Sequence, residues 1–334
     1  FNTKLYTGNG STNAITGVGF QPDWVWVKNR DIGTDAPTIY DAVRGATKRL
    51  QTSSTGAEST KTNGLTAFNS DGYTAGSASA INANGSNIAS WNWLANGAGS
   101  ANTDGSISST VSANTTSGFS IVKWTGTGAN ATVGHGLGSV PKMIIVKNTT
   151  GSGWSWYTYH VSIGATKNLY LNNTDATVTS SDRWQDTTPT SSVFYLGSNG
   201  GVNGSGNTMI AYCFADVQGF SKFGSYTGNG NADGTFVYTG FKPAFVMVKK
   251  SSSTENWYIF DNKRSDFNLS DDALRANLNN AEISNWGVGF DFCSNGFKAR
   301  ATDGAINASG NSYIYMAFAE APLVGSNNVP CTAR

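Results

Sequence analysis

The chain has 334 residues, a formal net charge of +1 and 13% charged residues, about half the share of an ordinary soluble protein. That balance supplies neither the basic field that nucleic acid requires nor a polybasic segment for anionic lipid. No stretch approaches the ~18 apolar residues of a spanning helix, no signal-peptide pattern opens the chain, and 12% aromatic residues are too many for a disordered polar repeat.

The first element, Tyr6-Thr7-Gly8-Asn9-Gly10, leads through a Gly-rich bend to Pro22 and an apolar run ending at Lys28. The same phrase returns as Trp124-Thr125-Gly126-Thr127-Gly128 with Pro141 and Lys147, and as Tyr226-Thr227-Gly228-Asn229-Gly230 with Pro243 and Lys249. Proline leads lysine by six residues each time, and the prolines stand 119 and 102 residues apart. This is too long a period for a solenoid and suits three small domains. The expected modules are 1–96, 117–217 and 222–322, with 97–116 as a Gly/Ser/Asn/Thr-rich linker. Within that linker Ile107 and Val111 could pair along an edge. The junction 218–221 is so short that modules two and three are expected to touch, with less freedom than one and two. The tail 323–334 has no counterpart and is expected to dock on a neighbour. The chain starts at Phe1 instead of methionine, so a preceding segment is expected to be removed or not included.

The post-proline runs 23–28 (DWVWVK), 142–147 (KMIIVK) and 244–249 (AFVMVK) carry β-branched residues at period two and apolar residues on both faces. They read as central strands. Aromatic runs at 38–43, 154–161 and 256–262 follow a polar turn, which predicts antiparallel hairpins. Each module closes on Asn-x-x-Gly-x-Asn/Ser and an aromatic strand, at 82–93, 203–214 and 307–318. Helical periodicity is confined to a turn or two at 41–50 and 274–278. The fold class is all-β: three tandem β-sandwich modules of jelly-roll or concanavalin/lectin-like type.

Catalysis needs converging titratable groups, and the chain has only His135 and His160, both in module two. His135 lies in a Gly-rich turn and reads as an exposed turn histidine. His160 stands where the other modules place Asp41 and Asp261. The lysine 12 or 13 residues upstream predicts Lys28 with Asp41 and Lys249 with Asp261 as structural ion pairs, lost in module two. No nucleophile elbow, zinc motif or phosphate loop occurs, so no catalytic, cofactor or metal residue is assigned. The Asp-Gly pairs at Asp71, Asp104, Asp233 and Asp303 read as hairpin turns and lack calcium-loop spacing. Cys213, Cys293 and Cys331 read as free thiols, and the sequons at Asn114 and Asn130 follow from composition.

Saccharide binding would use exposed aromatic faces with nearby Asn and Asp. Trp91 with Trp93, and Trp154 with Trp156, share a strand face and would form such platforms; their other reading is sandwich core. Trp184 and Trp286 are also particular to one module.

Residues 17–28 (GVGFQPDWVWVK), 41–46 (DAVRGA), 133–138 (VGHGLG) and 313–320 (YIYMAFAE) carry a further resemblance over nearly the whole chain. They are similar to a family of repeated β-rich structural proteins of marine tailed phages, such as those infecting cyanobacteria. The resemblance implies a non-enzymatic virion protein, a tail fibre, adhesin or capsid appendage exposed on the particle. Implied partners are other virion proteins and copies of itself, with host surface polysaccharide as a further partner if the tryptophan platforms are exposed. A bacterial surface or matrix protein built from the same module is the alternative.

Overall fold

The computed structural model describes residues 1–319, so the expected tail at 323–334 and Cys331 lie outside the described residues. Module one contains β1 (Asn2–Thr7), β2 (Asn13–Thr16), β3 (Trp24–Asn29), β4 (Thr38–Asp41), β5 (Lys48–Gln51), β6 (Ser59–Thr60), β7 (Leu65–Asn69), β8 (Gly72–Ala75), the short helix α1 (Ser79–Asn82) and β9 (Asn87–Trp93). Module two contains β10 (Ser100–Asn102), β11 (Ser109–Asn114), β12 (Phe119–Thr125), β13 (Ala131–Gly134), β14 (Met143–Asn148), β15 (Trp156–His160), β16 (Lys167–Tyr170), β17 (Val178–Thr179), α2 (Ser181–Trp184), β18 (Val193–Leu196), α3 (Gly200–Asn203) and β19 (Thr208–Phe214). Module three contains β20 (Ser221–Thr227), β21 (Phe236–Tyr238), β22 (Phe245–Lys250), β23 (Trp257–Asp261), β24 (Leu274–Arg275), β25 (Phe290–Cys293), β26 (Gly296–Ala299) and β27 (Ser312–Phe318).

Each module pairs a large antiparallel sheet with a small one. The large sheets run β1-β9-β3-β4-β5-β6, β10-β11-β12-β19-β14-β15-β16-β17 and β20-β27-β22-β23-β24. The small ones run β2-β8-β7, β13-β18 and β21-β26-β25. The post-proline strands β3, β14 and β22 lie inside the large sheets, flanked by the closing strand and the hairpin partner, as their two apolar faces predict.

Two expectations need correction. Residues 97–116 are not a free linker, but the expected edge pairing at Ile107 and Val111 forms: β10 and β11 extend module two's large sheet, Val111 pairs Val122, and Ile107 bridges Val133. Small polar residues with alternating β-branched ones meet the needs of an edge strand as well as those of a linker. Of the expected helical turns, 41–50 holds one, closed by the Gly45 N–H to Asp41 O at 3.0 Å before β5 begins, whereas 274–278 opens with β24.

The packing explains why the large-sheet strands are apolar on both faces. One face meets the module's own small sheet: Val25, Val27, Tyr40, Leu65 and Tyr73 fill this layer in module one, and equivalent clusters fill modules two and three. The opposite faces of all three large sheets meet one another in a single shared core. At four equivalent positions module one supplies Trp24, Trp26, Trp91 and Trp93. Module two supplies Met143, Ile145, Tyr212 and Phe214, and module three Phe245, Met247, Met316 and Phe318. Large rings on one side and smaller side chains on the other two fill one volume, as close packing requires. Three modules of one chain thus close into a pseudo-threefold ring, so modules one and two are in contact just as two and three are.

The repeated Thr-Gly-x-Gly turn and the repeated Asn-x-x-Gly are two halves of one clasp. Asn82 Oδ1 accepts the Asn9 N–H at 2.9 Å, Asn203 the Thr127 N–H at 3.0 Å, and Asn307 the Asn229 N–H at 3.0 Å. All three asparagines are buried, and their amide groups donate back into the same turns. The first glycine is obligatory: a Cβ on Gly8, Gly126 or Gly228 would meet a backbone oxygen at 2.1, 2.3 or 2.4 Å.

Candidate functional site

Chemistry-bearing side chains gather in two places, the seams between modules and the outer face of module three. The seams are built three times from the same parts. The buried lysine ending each post-proline strand donates to a carbonyl of another module: Lys28 to Asn279 O at 2.8 Å, Lys147 to Thr55 O at 3.1 Å, Lys249 to Thr174 O at 3.2 Å. Burial lowers all three ammonium groups from the ordinary 10.5 to about 8. The predicted ion pairs Lys28 with Asp41 and Lys249 with Asp261 do not form. Trp24 lies opposite Asp41 and Phe245 opposite Asp261, which puts each lysine four residues further along its strand, about 13 Å away at strand rise.

Asp41 and Asp261 serve the seams through other partners. Arg44, three residues on, donates to Asp41 at 2.5 Å, and Arg264 to Asp261 at 2.6 Å. Each carboxylate also accepts a hydrogen bond across a seam, Asp41 from the Tyr212 hydroxyl at 2.8 Å and Asp261 from the Trp91 indole at 3.0 Å. His160 takes the same place at the third seam, with Nε2 at 3.2 Å from the Tyr315 carbonyl. Its Nδ1 accepts the Ser162 N–H at 3.2 Å, so the ring is neutral with its proton on Nε2, and burial lowers its pKa to about 4. The partner position explains the exchange. Met316 stands where Tyr212 and Trp91 stand in the other seams and has no proton to donate to a buried carboxylate.

His135, expected on an exposed turn, is instead buried, with Nδ1 accepting the Leu137 N–H and Nε2 at 3.1 Å from Thr190 O. Both histidines are thus committed to backbone groups. Among the described residues no three His, Cys, Asp or Glu side chains gather as a metal set. Cys213 is buried and unpaired, and Cys293 is partly exposed and unpaired.

Of the two readings of the tryptophan pairs, sandwich core holds and the exposed platform does not. Trp91, Trp93 and Trp156 lie in the shared core at 0%, 1% and 0% exposure, and Trp154 is half-buried against module two's own core. Trp156 also ties a seam, its indole donating to Gln51 O at 3.0 Å, and Trp257 does so to Tyr170 O at 2.9 Å. Trp184 is buried, and Trp286 packs on Tyr258.

The exposed aromatic face is elsewhere, on the small sheet of module three. Along β21, Val237 points into the core while Phe236 and Tyr238 face out, 44% and 67% exposed. The equivalent positions flanking the inward Ile15 and Val133 hold Ala14 and Thr16 in module one, Thr132 and Gly134 in module two. Glycines lie beneath both rings: a Cβ on Gly296 would meet Phe236 Cζ at 2.9 Å, and one on Gly240 would meet the Tyr238 hydroxyl at 3.6 Å. Lys298 stands opposite Phe236 on β26, with Asp291 beyond it on β25. Beside Tyr238 opens a cleft of about 340 Å³, bordered by Asp216, Gln218, Ser221, Lys222 and Thr239. A larger groove of about 430 Å³ lies at the seam of modules one and two. Its charges are already engaged, Arg44 and Lys48 with Glu58 and Lys123 with Val43 O, and no aromatic ring lines it.

One family model matches residues 1–322, the ring as a whole and not a single module. The chain belongs to a family described as a domain of unknown function, DUF7483. No curated protein and no solved structure matches it.

Proposed function

We propose that the protein is a non-enzymatic structural component of a virion, a tail fibre, adhesin or capsid appendage exposed on the particle surface, whose partners are other virion proteins and copies of itself. The observation that carries this reading is the closed ring. Three modules of one chain share a single aromatic core, an arrangement suited to a rigid building block with three near-equivalent faces. The titratable groups in its seams are spent on holding modules together, which favours a scaffold over a catalyst. Its low charge and small polar loops suit a surface-exposed part, and the resemblance of its repeated phrases to marine-phage structural proteins points the same way.

The test is localisation. Antibody raised against the ring, applied to purified phage particles in electron microscopy, should decorate a fixed position on each particle, and mass spectrometry should find the chain in them. Label on host cell envelopes with none on particles would replace this reading by that of a bacterial surface protein.

A further inference from the structure

We propose that the outer face of module three's small sheet, centred on Tyr238 and Phe236, is a binding site for a neutral saccharide. The inference concerns the isolated protein and does not depend on a place in a virion. Among the described residues three aromatic rings are strongly exposed, Phe236, Tyr238 and Phe267, and two of them share one face of one strand. The glycines beneath them let the rings lie close to the sheet, so that aromatic faces are offered to a ligand. A pyranose has a flat C–H face that stacks on such rings and a rim of hydroxyls that both donate and accept.

The surrounding groups match those hydroxyls. Asp216 pairs with Lys222 at 2.5 Å, Asp233 with Lys298 at 2.5 Å and Arg300 at 3.2 Å, and Arg300 reaches Asp291 at 3.3 Å. Three carboxylates and three cations are thus paired around the aromatic pair, while the exposed Lys242, close enough to Cys293 to act on its thiol, stands outside these pairs. Each of the three paired cations already holds a carboxylate, so these groups offer donors and acceptors to hydroxyls and match a neutral sugar better than a uronate, sialate or phosphate. The cleft beside Tyr238, about 340 Å³, lies at the small end of the range for ligand pockets. It adds the exposed Gln218 as a further hydrogen-bonding group. A peptide strand adding to the edge of β21 is the competing occupant, but β21 offers only three residues of edge, and its exposed rings lie on the sheet face and not along the edge.

The experiment is saturation-transfer NMR and calorimetry of the purified chain against neutral hexose and N-acetylhexosamine oligosaccharides, with oligogalacturonate as the charged comparison. At least one neutral oligosaccharide should bind, Tyr238→Ala should weaken it at least about tenfold, a hot-spot-sized loss, and Tyr238→Phe should keep most of the affinity. Phe267→Ala should leave binding unchanged, and unchanged melting of Tyr238→Ala would show that the fold is intact. The proposal is overturned if no neutral oligosaccharide binds, if only the uronate binds, or if Tyr238→Ala binds as wild type does. Self-association that Tyr238→Ala abolishes, without saccharide binding, would overturn it in favour of a contact between copies.

Discussion

Two of the three seams are closed by a carboxylate and the third by a histidine, and comparing them shows what a buried polar contact requires. At the first seam Asp41 is held by Arg44 and by the Tyr212 hydroxyl; at the seam between modules three and one Asp261 is held by Arg264 and the Trp91 indole. At the seam between modules two and three every member of that set differs: His160 replaces the aspartate, Ile163 the arginine and Met316 the donor, and Ile163 packs against the shared core. A buried carboxylate without a donor and a cation is costly, whereas a neutral imidazole needs only one acceptor and one donor, here Tyr315 O and Ser162 N–H. The three positions change as a unit because their energetics are coupled.

The strongest way to break this comparison is His160→Asp, which places a carboxylate against Met316 with no arginine behind it. We expect a loss of about 3–5 kcal/mol, the usual cost of a buried unpaired charge, read from denaturant unfolding. Adding Ile163→Arg and Met316→Tyr should recover most of it; no recovery would mean that the coupling is mistaken. Acid should single out the same seam. His160 titrates at about 4 in the fold and near 6.5 when unfolded, so the unfolded state binds the extra proton between those values. Its contribution is full above pH 6.5 and falls as pH drops toward 4, by about 3 kcal/mol from a shift of about 2.5 units. His160→Gln should lose that part of the slope, and an unchanged slope would assign it to other groups. The shared lysines act in alkali. With pKa values lowered to about 8 against 10.5 unfolded, stability should rise from pH 8 toward 10.5, and Lys147→Met should flatten that rise.

Trp91→Phe sharpens the contrast with less force. It keeps an aromatic ring in the shared core and removes the donor to Asp261, so about 1–3 kcal/mol should be lost. Met316→Leu, at the equivalent position facing His160, removes no donor and should cost under about 1.5 kcal/mol. Equal losses at the two positions would make the hydrogen bond irrelevant.

Much of the scaffold is legible in the residues. The Pro-to-Lys runs are central strands because β-branched residues alternate with large apolar ones, and three in-register copies place their hairpin partners and closing strands. What covers the second apolar face is not legible, because covering it requires two other modules, and pattern within one module cannot specify a tertiary neighbour. The same gap left two readings of the tryptophans open: alternate spacing on one face suits a platform and a core alike, and Trp91 and Trp93 are core. A clue was present in Trp24 and Trp26 of module one standing against Met143 and Ile145 of module two and Phe245 and Met247 of module three, unequal side chains at equivalent positions that sum to one filled space. The lysine–aspartate pairs failed on register, since the polar loop after Lys28 puts that residue at the turn end of the hairpin and Asp41 at the other. The outer aromatic face was visible only as Phe236-Val237-Tyr238, a short alternation that looks like any edge strand until the equivalents Ala14, Thr16, Thr132 and Gly134 are set beside it.

The smallest expected effect tests whether the ring closes equally at all seams. Trp156 and Trp257 each donate an indole proton to the strand of the preceding module, but the equivalent residue in module one is Pro37, which has no donor. The seam between modules one and three uses Thr52 instead, whose hydroxyl donates to Ala276 O at 2.6 Å. Thr52 stands where the other modules have Leu171 and Ala276, so a hydroxyl has entered an otherwise apolar position to replace the missing indole. Thr52→Val keeps the shape and strands the Ala276 carbonyl, for an expected loss of about 0.5–1.5 kcal/mol in thermal or denaturant unfolding. A neutral result would mean that this carbonyl finds another donor and that the hydroxyl adds nothing to a seam already tied by Lys28 and Trp91.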